Sequence, residues 1–249
     1  MGVLDGKTTV ITGGGGALGR AYALAIAQAG AAVAVSDVNL DTARVTADAI
    51  AKAGGKALAI KADVTDAAAF EGLFDRAEAE LGPLDVLVNV AGMYPHNLVA
   101  EMPEQEWDQV IQTNLKSVFL GTRAALRRML PRRRGVILSV ASGVGVRGAA
   151  RGAHYAASKA GIIAFTRSVS LELKDSGVRI NCIGPGATDS ALWRLGRSEE
   201  EIRRLLAAGN ILQPAEFANV VVWLVSDQSR PLSGEFIARD PHRGSVSEK

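Results

Sequence analysis

Thr8-Thr9-Val10-Ile11-Thr12-Gly13-Gly14-Gly15-Gly16-Ala17-Leu18-Gly19 is the stretch on which the fold of this chain turns. Thr8 to Thr12 are all β-branched and predict a short buried strand. Four glycines follow, and Leu18 to Ala29 then has the composition of a helix. Glycines at a strand-to-helix turn let the backbone approach a pyrophosphate, whose charge the helix N-terminus stabilises. Gly14, Gly16 and Gly19 satisfy G-x-G-x-x-G, a weak signal alone that gains weight from its place between a strand and a helix.

The alternation continues along the chain. Ala32 to Ser36 predicts a second strand and Asp41 to Lys52 a second helix. Ala57 to Ile60, Val86 to Val88, Val136 to Val140, Val178 to Ile183 and a weaker Glu235 to Ala238 extend the series. Strands apolar at nearly every residue and separated by helices predict an α/β chain, its parallel sheet doubly wound and covered by helices on both faces. Ligands of such sheets bind outside the carboxyl ends of the strands. No linker, repeat or low-complexity segment interrupts residues 1–249, so one domain is expected.

Composition narrows the function classes. Lys and Arg number 28 against 26 Asp and Glu, a balance that argues against a nucleic-acid or anionic-membrane partner. The one basic run, Arg127-Arg128 and Arg132-Arg133-Arg134, has no interleaved aromatic residues for stacking bases and reads as a solvated helix end. A single cysteine, Cys182, excludes an intrachain disulfide and a cysteine-rich metal site, and no metal is expected. The most apolar stretch, Ala21 to Val35, is broken by Gln28 and Gly30 and falls short of a membrane span. The first residues lack the apolar block of a secretory signal. A cytoplasmic location is the expectation.

Two groups of residues carry chemistry. Asp37 ends the second strand, where a carboxylate can accept the ribose hydroxyls of NAD and repel the extra phosphate of NADP. No Arg or Lys among Gly13 to Leu18, or directly after Asp37, offers that phosphate a partner. Tyr155 and Lys159 stand four apart on an Ala-rich helical stretch, hence on one face. A nearby ammonium favours the phenolate of a tyrosine and makes it a usable proton acceptor. Ser142, just past the fifth strand, is placed to hold a substrate oxygen against that phenol.

With these residues in this order, the chain resembles the short-chain dehydrogenase/reductase family over nearly its whole length, which implies a Rossmann-type fold. The family pattern T-G-x-x-x-G-x-G falls on Thr12 to Gly19, with Ala17 in place of the middle glycine. The resemblance implies cofactor contacts from Gly13, Gly15, Gly16, Ala17, Leu18 and Gly19 of that loop, and from Asp37. It adds Asp63-Val64 after the third strand and Asn89, Ala91 and Gly92 of an Asn-Val-Ala-Gly turn, where Val90 departs from the pattern. Pro185-Gly186, Thr188 and Ser190 resemble the loop that contacts the nicotinamide carboxamide. Asn114, Ser142, Tyr155 and Lys159 match the catalytic tetrad. Asn114 is then expected to hold a relay water, and Tyr155 and Lys159 also to touch the cofactor.

The resemblance implies an NAD-dependent oxidoreductase passing a hydride between nicotinamide and a secondary alcohol or ketone, in a homo-oligomer, a tetramer. Residues 190–210, with Leu192, Trp193 and Leu195, would form a lid over the site. Those side chains, with Met93, Tyr94, Val144 and Val146, suit an apolar or cyclic substrate or equally the packing of the lid onto the body. His96 and His154 read as loop and helix-start residues in preference to substrate contacts. Arg194 and Arg197 read as a solvated lid face in preference to contacts for an anion. Asp240-Pro241 stands where the family usually has an Asp-Gly-Gly turn. Two rival functions remain: a 3-oxoacyl-carrier-protein reductase docking its carrier on the Arg cluster, and a non-catalytic dinucleotide sensor.

Overall fold

The strands form where β-branched runs allow them, and their register sorts every side chain. The computed structural model of the chain describes residues 2–209 and 211–239; Asp240 and Pro241 lie outside the described residues. Seven strands are described: β1 (Thr8–Thr12), β2 (Ala32–Asp37), β3 (Ala57–Lys61), β4 (Leu84–Asn89), β5 (Gly135–Val140), β6 (Val178–Gly184) and β7 (Phe236–Ala238). They pair in parallel in the order β3-β2-β1-β4-β5-β6-β7. Each lies within two residues of its sequence-predicted position.

Alternation along each strand feeds two apolar layers. Ile11, Val33, Val35, Val88 and Leu138 face one side, where they meet Tyr22, Ala23 and Ile26 of α1 (Ala17–Gln28). Val221 and Leu224 of the C-terminal helix Ala218–Val225 join that layer. Val10, Ala34, Leu87, Ile137 and Ile180 face the other side. There they meet Phe70, Leu73 and Phe74 of α3 (Ala67–Leu81) and Met129 of α5 (Ser117–Arg132). The α2 helix (Leu40–Lys52) starts at Asn39, whose side chain accepts from the Asp41 and Thr42 amides, an N-cap that stops β2 running on.

The chain winds outward in both directions from β1 and β4, and that neighbouring pair is the topological switch point. Loops after β1, β2, β4, β5 and β6 therefore converge at one edge. The helix α4 (Glu104–Val110) runs through a π-helical turn, Ile111–Lys116, into α5. Two helices carry the far wall of that edge: α6 (Val144–Arg147) and α7 (Ala153–Glu172). The segment expected as a lid holds α8 (Ala191–Arg194) and α9 (Glu199–Ala207).

The Arg cluster lies at the opposite, amino-terminal edge, and four of its five arginines are ion-paired, while Arg133 donates to the Asp175 carbonyl. Arg128 meets Glu71, Asp75 and Glu78 of α3, and Arg127 meets Glu71. Arg132 and Arg134 both pair with Asp85, at 3.7 and 3.0 Å. The run is a solvated, ion-paired helix end.

Candidate active site

The switch point opens into a cleft of about 660 Å³. Gly13, Gly16, Ala17, Leu18 and Gly19 form one wall, and Asp37, Asp63 and Val64 stand across from it. The glycine loop is closed too tightly for side chains: Gly13 takes φ +63, and a Cβ on Gly19 would lie 2.1 Å from the Gly13 carbonyl oxygen. Ala17, the departure from the family pattern, is exposed at the start of α1, so its methyl is accommodated. The Asp37 carboxylate is held at the end of β2 by the amides of Gly15 and Asn39, each donating at 3.0 Å. Among the described residues, two carboxylates, Asp37 and Asp63, and no Lys or Arg line the cleft. A glycine cradle that admits no Cβ, the amino end of a twelve-residue helix and a fixed carboxylate at the next strand fit a dinucleotide of the NAD type.

A second pocket of about 290 Å³ adjoins the first, sharing Leu18, Ser190 and Leu192 with it. Ser142 and Tyr155 face into it together. Burial pushes the Tyr155 phenol up to about 12, while its hydrogen bond with Ser142 pulls the other way. The Tyr94 ring lies flat on Tyr155, centroids 3.9 Å apart and planes 15° from parallel. Lys159, one turn on, is buried; its Nζ donates to the Val140 carbonyl at 2.7 Å and sits 5.5 Å from the Tyr155 ring centroid. Burial brings that ammonium down to about 8. In the protein alone, burial moves both groups toward neutrality.

Asn114 sits on the π-helical turn, a distortion that recurs at functional sites. Its amide nitrogen donates to the Met93 carbonyl and to Ser158 Oγ, and its oxygen accepts from the Met93 amide. A Cβ on Gly92 would fall 3.2 Å from Asn114 Oδ1 and 3.7 Å from Lys159 Nζ. The bare glycine leaves a gap that faces both polar groups.

The family model described as short chain dehydrogenase matches residues 7–201. The chain belongs to the short-chain dehydrogenase family. It is an oxidoreductase acting on alcohol- or ketone-type substrates, in a family that uses nicotinamide cofactors. The chain is 36% identical over 234 residues to the 3-oxoacyl-[acyl-carrier-protein] reductase FabG of Escherichia coli K12, covering 93% of this chain and 94% of that one. It is 39% identical over 244 residues to a Mycobacterium tuberculosis protein, a hydroxy-methyl-oxo-hexahydroindene-carboxyl-CoA reductase, covering 95% and 93%. The crystal structure of gox2181 superposes with a TM-score of 0.90 at 28% identity, covering 96% of this chain and 95% of that one.

Within this short-chain dehydrogenase, most residues expected at the cofactor reach the first cleft, including Ala91 and Gly92. Seven do not line it, and three of those, Gly15, Asn89 and Lys159, line neither cavity. Gly15 spends its amide on Asp37. Asn89 is buried behind the cleft, its side-chain nitrogen donating to Ser139 Oγ at 3.2 Å. Lys159 lies beneath the seam of the two cavities. Pro185, Gly186 and Thr188 line the second pocket, and Ser190 lines both while capping α8 through the Trp193 amide. Val90 packs its side chain against the apolar layer of α1.

Several residues named in the sequence take definite places around the site. His154 is fully buried: Nδ1 accepts the Tyr155 amide at 2.9 Å, so Nε2 carries the proton and donates to Glu106 at 3.1 Å. It positions the start of α7. Met93 lines the cofactor cleft instead of the second pocket, and Val146 is 68% exposed outside both. Arg194 is spent on Asp189 in a two-pronged pair at 2.6 and 2.8 Å, whereas Arg197 turns into the second pocket. Among the described residues, no group of His, Cys, Asp and Glu could hold a metal, and no helix is long and apolar enough to cross a membrane.

Proposed function

We propose that this chain is an NAD(H)-dependent dehydrogenase/reductase of secondary alcohols and ketones with an apolar or cyclic body. The observation that carries the reading is the Ser142–Tyr155 hydroxyl pair, facing a pocket that meets the dinucleotide cleft at Leu18, Ser190 and Leu192. Ser142 holds the substrate oxygen, and Tyr155 exchanges a proton with it. Lys159 and Asn114, on either side of the Gly92 gap, connect that proton to solvent through a water. Nicotinamide supplies or takes the hydride at its C4. Gly13 through Gly19 hold the pyrophosphate, Asp63 and Val64 the adenine end, Ala91 and Gly92 the ribose side, and the Pro185–Ser190 loop the carboxamide.

Asp37 supports NAD over NADP. Its carboxylate faces a cleft with no cation among the described residues, so the 2′-phosphate of NADP would meet like charge there. The residues 190–210 serve as the lid. A homotetramer goes with this reading, because Trp107 of α4, Phe119 of α5 and Leu171 of α7 expose large apolar side chains on neighbouring helices. A cytoplasmic location fits the single, buried cysteine. The carrier-protein alternative loses its docking surface, since the Arg cluster is ion-paired at the edge remote from Tyr155. The test is a panel of secondary alcohols with NAD and ketones with NADH, followed by absorbance of the reduced cofactor. Turnover of a panel member supports the reading, and none with either cofactor overturns it.

A further inference from the structure

The pocket beside Tyr155 carries a charge pattern that alcohol–ketone exchange does not require. Arg147 and Arg197 line it, and no Asp or Glu does among the described residues. They come from different elements of the wall. Arg147 ends α6, and its side chain folds back over the Gly143 backbone, where an added Cβ would lie 3.2 Å from Nη2 and 3.7 Å from Nε. Gly143 follows Ser142, so this guanidinium stands beside the segment that presents the reactive hydroxyl. Arg147 makes no ion pair among the described residues.

Arg197 comes from the turn between α8 and α9. Its guanidinium lies over the Trp193 ring at 4.9 Å from the centroid and donates to the Trp193 carbonyl. Its ion pair among the described residues is with Glu201 at 3.8 Å. The charge is felt inside the pocket. His96 titrates below its usual value through burial and then through Arg197, so the imidazole adds no charge near neutral pH. Burial raises the Tyr94 phenol, and Arg197 opposes that rise.

We propose that the substrate is a carboxylate-bearing ketone or the corresponding hydroxy acid, its carboxylate held by Arg147 and Arg197 while Ser142 and Tyr155 engage the carbonyl oxygen. This rests on the alcohol–ketone reading above and names the substrate class for it. Planar guanidinium donors match the two oxygens of a carboxylate, and two cations without an acid in the wall leave a field that a neutral ketone does not neutralise. Reach selects a carboxylate over the phosphates of an acyl carrier. Arg147 stands beside the Ser142 segment, so its anion belongs a few bonds from the reacting carbon, whereas a carrier's phosphates lie a whole pantetheine arm away. In reduction the carbonyl carbon gains the hydride of NADH and its oxygen gains a proton from Tyr155; the carboxylate is unchanged.

Trp193 supplies a readout independent of turnover, since Arg197 stacks on it. Titrating the whole chain with benzoate should change tryptophan fluorescence saturably, benzamide should not, and Trp193→Phe should remove the signal. Arg147→Gln and Arg197→Gln should each weaken benzoate at least tenfold, with Arg147→Lys intermediate. In turnover with NADH, 3-oxocyclohexanecarboxylate should exceed its methyl ester at least tenfold in kcat/KM, and the ratio should collapse toward one in Arg147→Gln. Equal binding of benzoate and benzamide, or benzoate affinity unchanged in both Gln variants, overturns the proposal. A preference for acetoacetyl-CoA over the oxo acid that Arg147→Gln abolishes would assign the arginines to carrier phosphates and also overturn it. Benzoate binding through both arginines in a chain that reduces no ketone would sustain the clamp and refute the alcohol–ketone reading instead.

Discussion

The two cavities at the carboxyl edge of the sheet share three residues, yet they are charged in opposite senses. Among the described residues, the larger holds Asp37 and Asp63 and no cation, and the smaller holds Arg147 and Arg197 and no carboxylate. Backbone amides and a helix N-terminus favour the phosphates of a dinucleotide in the first, so in the proposed reading Asp37 acts as the selector, admitting ribose hydroxyls and rejecting an extra phosphate. In the second, the proposed attraction comes from side-chain cations. On that reading one rim separates the recognition of the cofactor from that of its co-substrate.

The largest effect should come at the seam. Lys159 touches both functions in the proposed mechanism, so Lys159→Met should lower turnover by about 10³-fold, within the range of general acid–base contributions. It should also weaken NAD binding by calorimetry, and normal affinity would separate Lys159 from the cofactor side. The pH profile sharpens the same point. Alcohol oxidation requires the deprotonated phenol, and burial holds Tyr155 protonated up to about 12, so oxidation should rise with pH while ketone reduction falls. One apparent ionisation is expected, belonging to the Tyr155–Lys159 pair, with Lys159 losing its charge above about 8. Oxidation rates flat between pH 6 and 10 would refute the role given to Tyr155.

Next in size is the selector. Wild-type kcat/KM should favour NAD over NADP at least tenfold, about 1.4 kcal/mol, and Asp37→Ala should narrow that gap. Equal efficiency in the wild type would remove the contrast between the two cavities. The smallest effect falls on a residue behind the second pocket. His154→Ala leaves the Tyr155 amide without its partner and Glu106 with Asn97 alone, and should cost about 1–3 kcal/mol of stability by denaturant titration. The cofactor affinity should hold while kcat drops a few-fold; an unchanged kcat would show that Tyr155 does not depend on this anchor.

The strands were legible because each is apolar at nearly every position, a pattern that only a sheet covered on both sides satisfies. The glycine loop and Asp37 were legible because they lie next to strand ends, where neighbours in sequence are neighbours in space. What could not be read depends on contacts between distant segments. Arg194 and Arg197 look alike in sequence; Asp189 neutralises one, and Trp193 steers the other inward. Asn89 follows the family turn, but its side chain points behind the cleft toward Ser139. The direction of the Tyr155 shift followed from burial that four-residue spacing does not reveal. The Arg cluster's partners did leave a trace, since Glu71, Asp75 and Glu78 repeat at helical spacing on α3 and mark a stripe awaiting cations.

The central claim is that binding and chemistry divide along the seam between the cavities, with Tyr155 belonging to the chemistry. Tyr155→Phe keeps the ring and its stacking on Tyr94 while removing the one oxygen that exchanges the proton. Calorimetric affinity for NADH should stay within about twofold of wild type, and ketone turnover should fall by about 10³-fold or more. Turnover above a few per cent of wild type in Tyr155→Phe, or lost turnover accompanied by lost NADH binding, would contradict it.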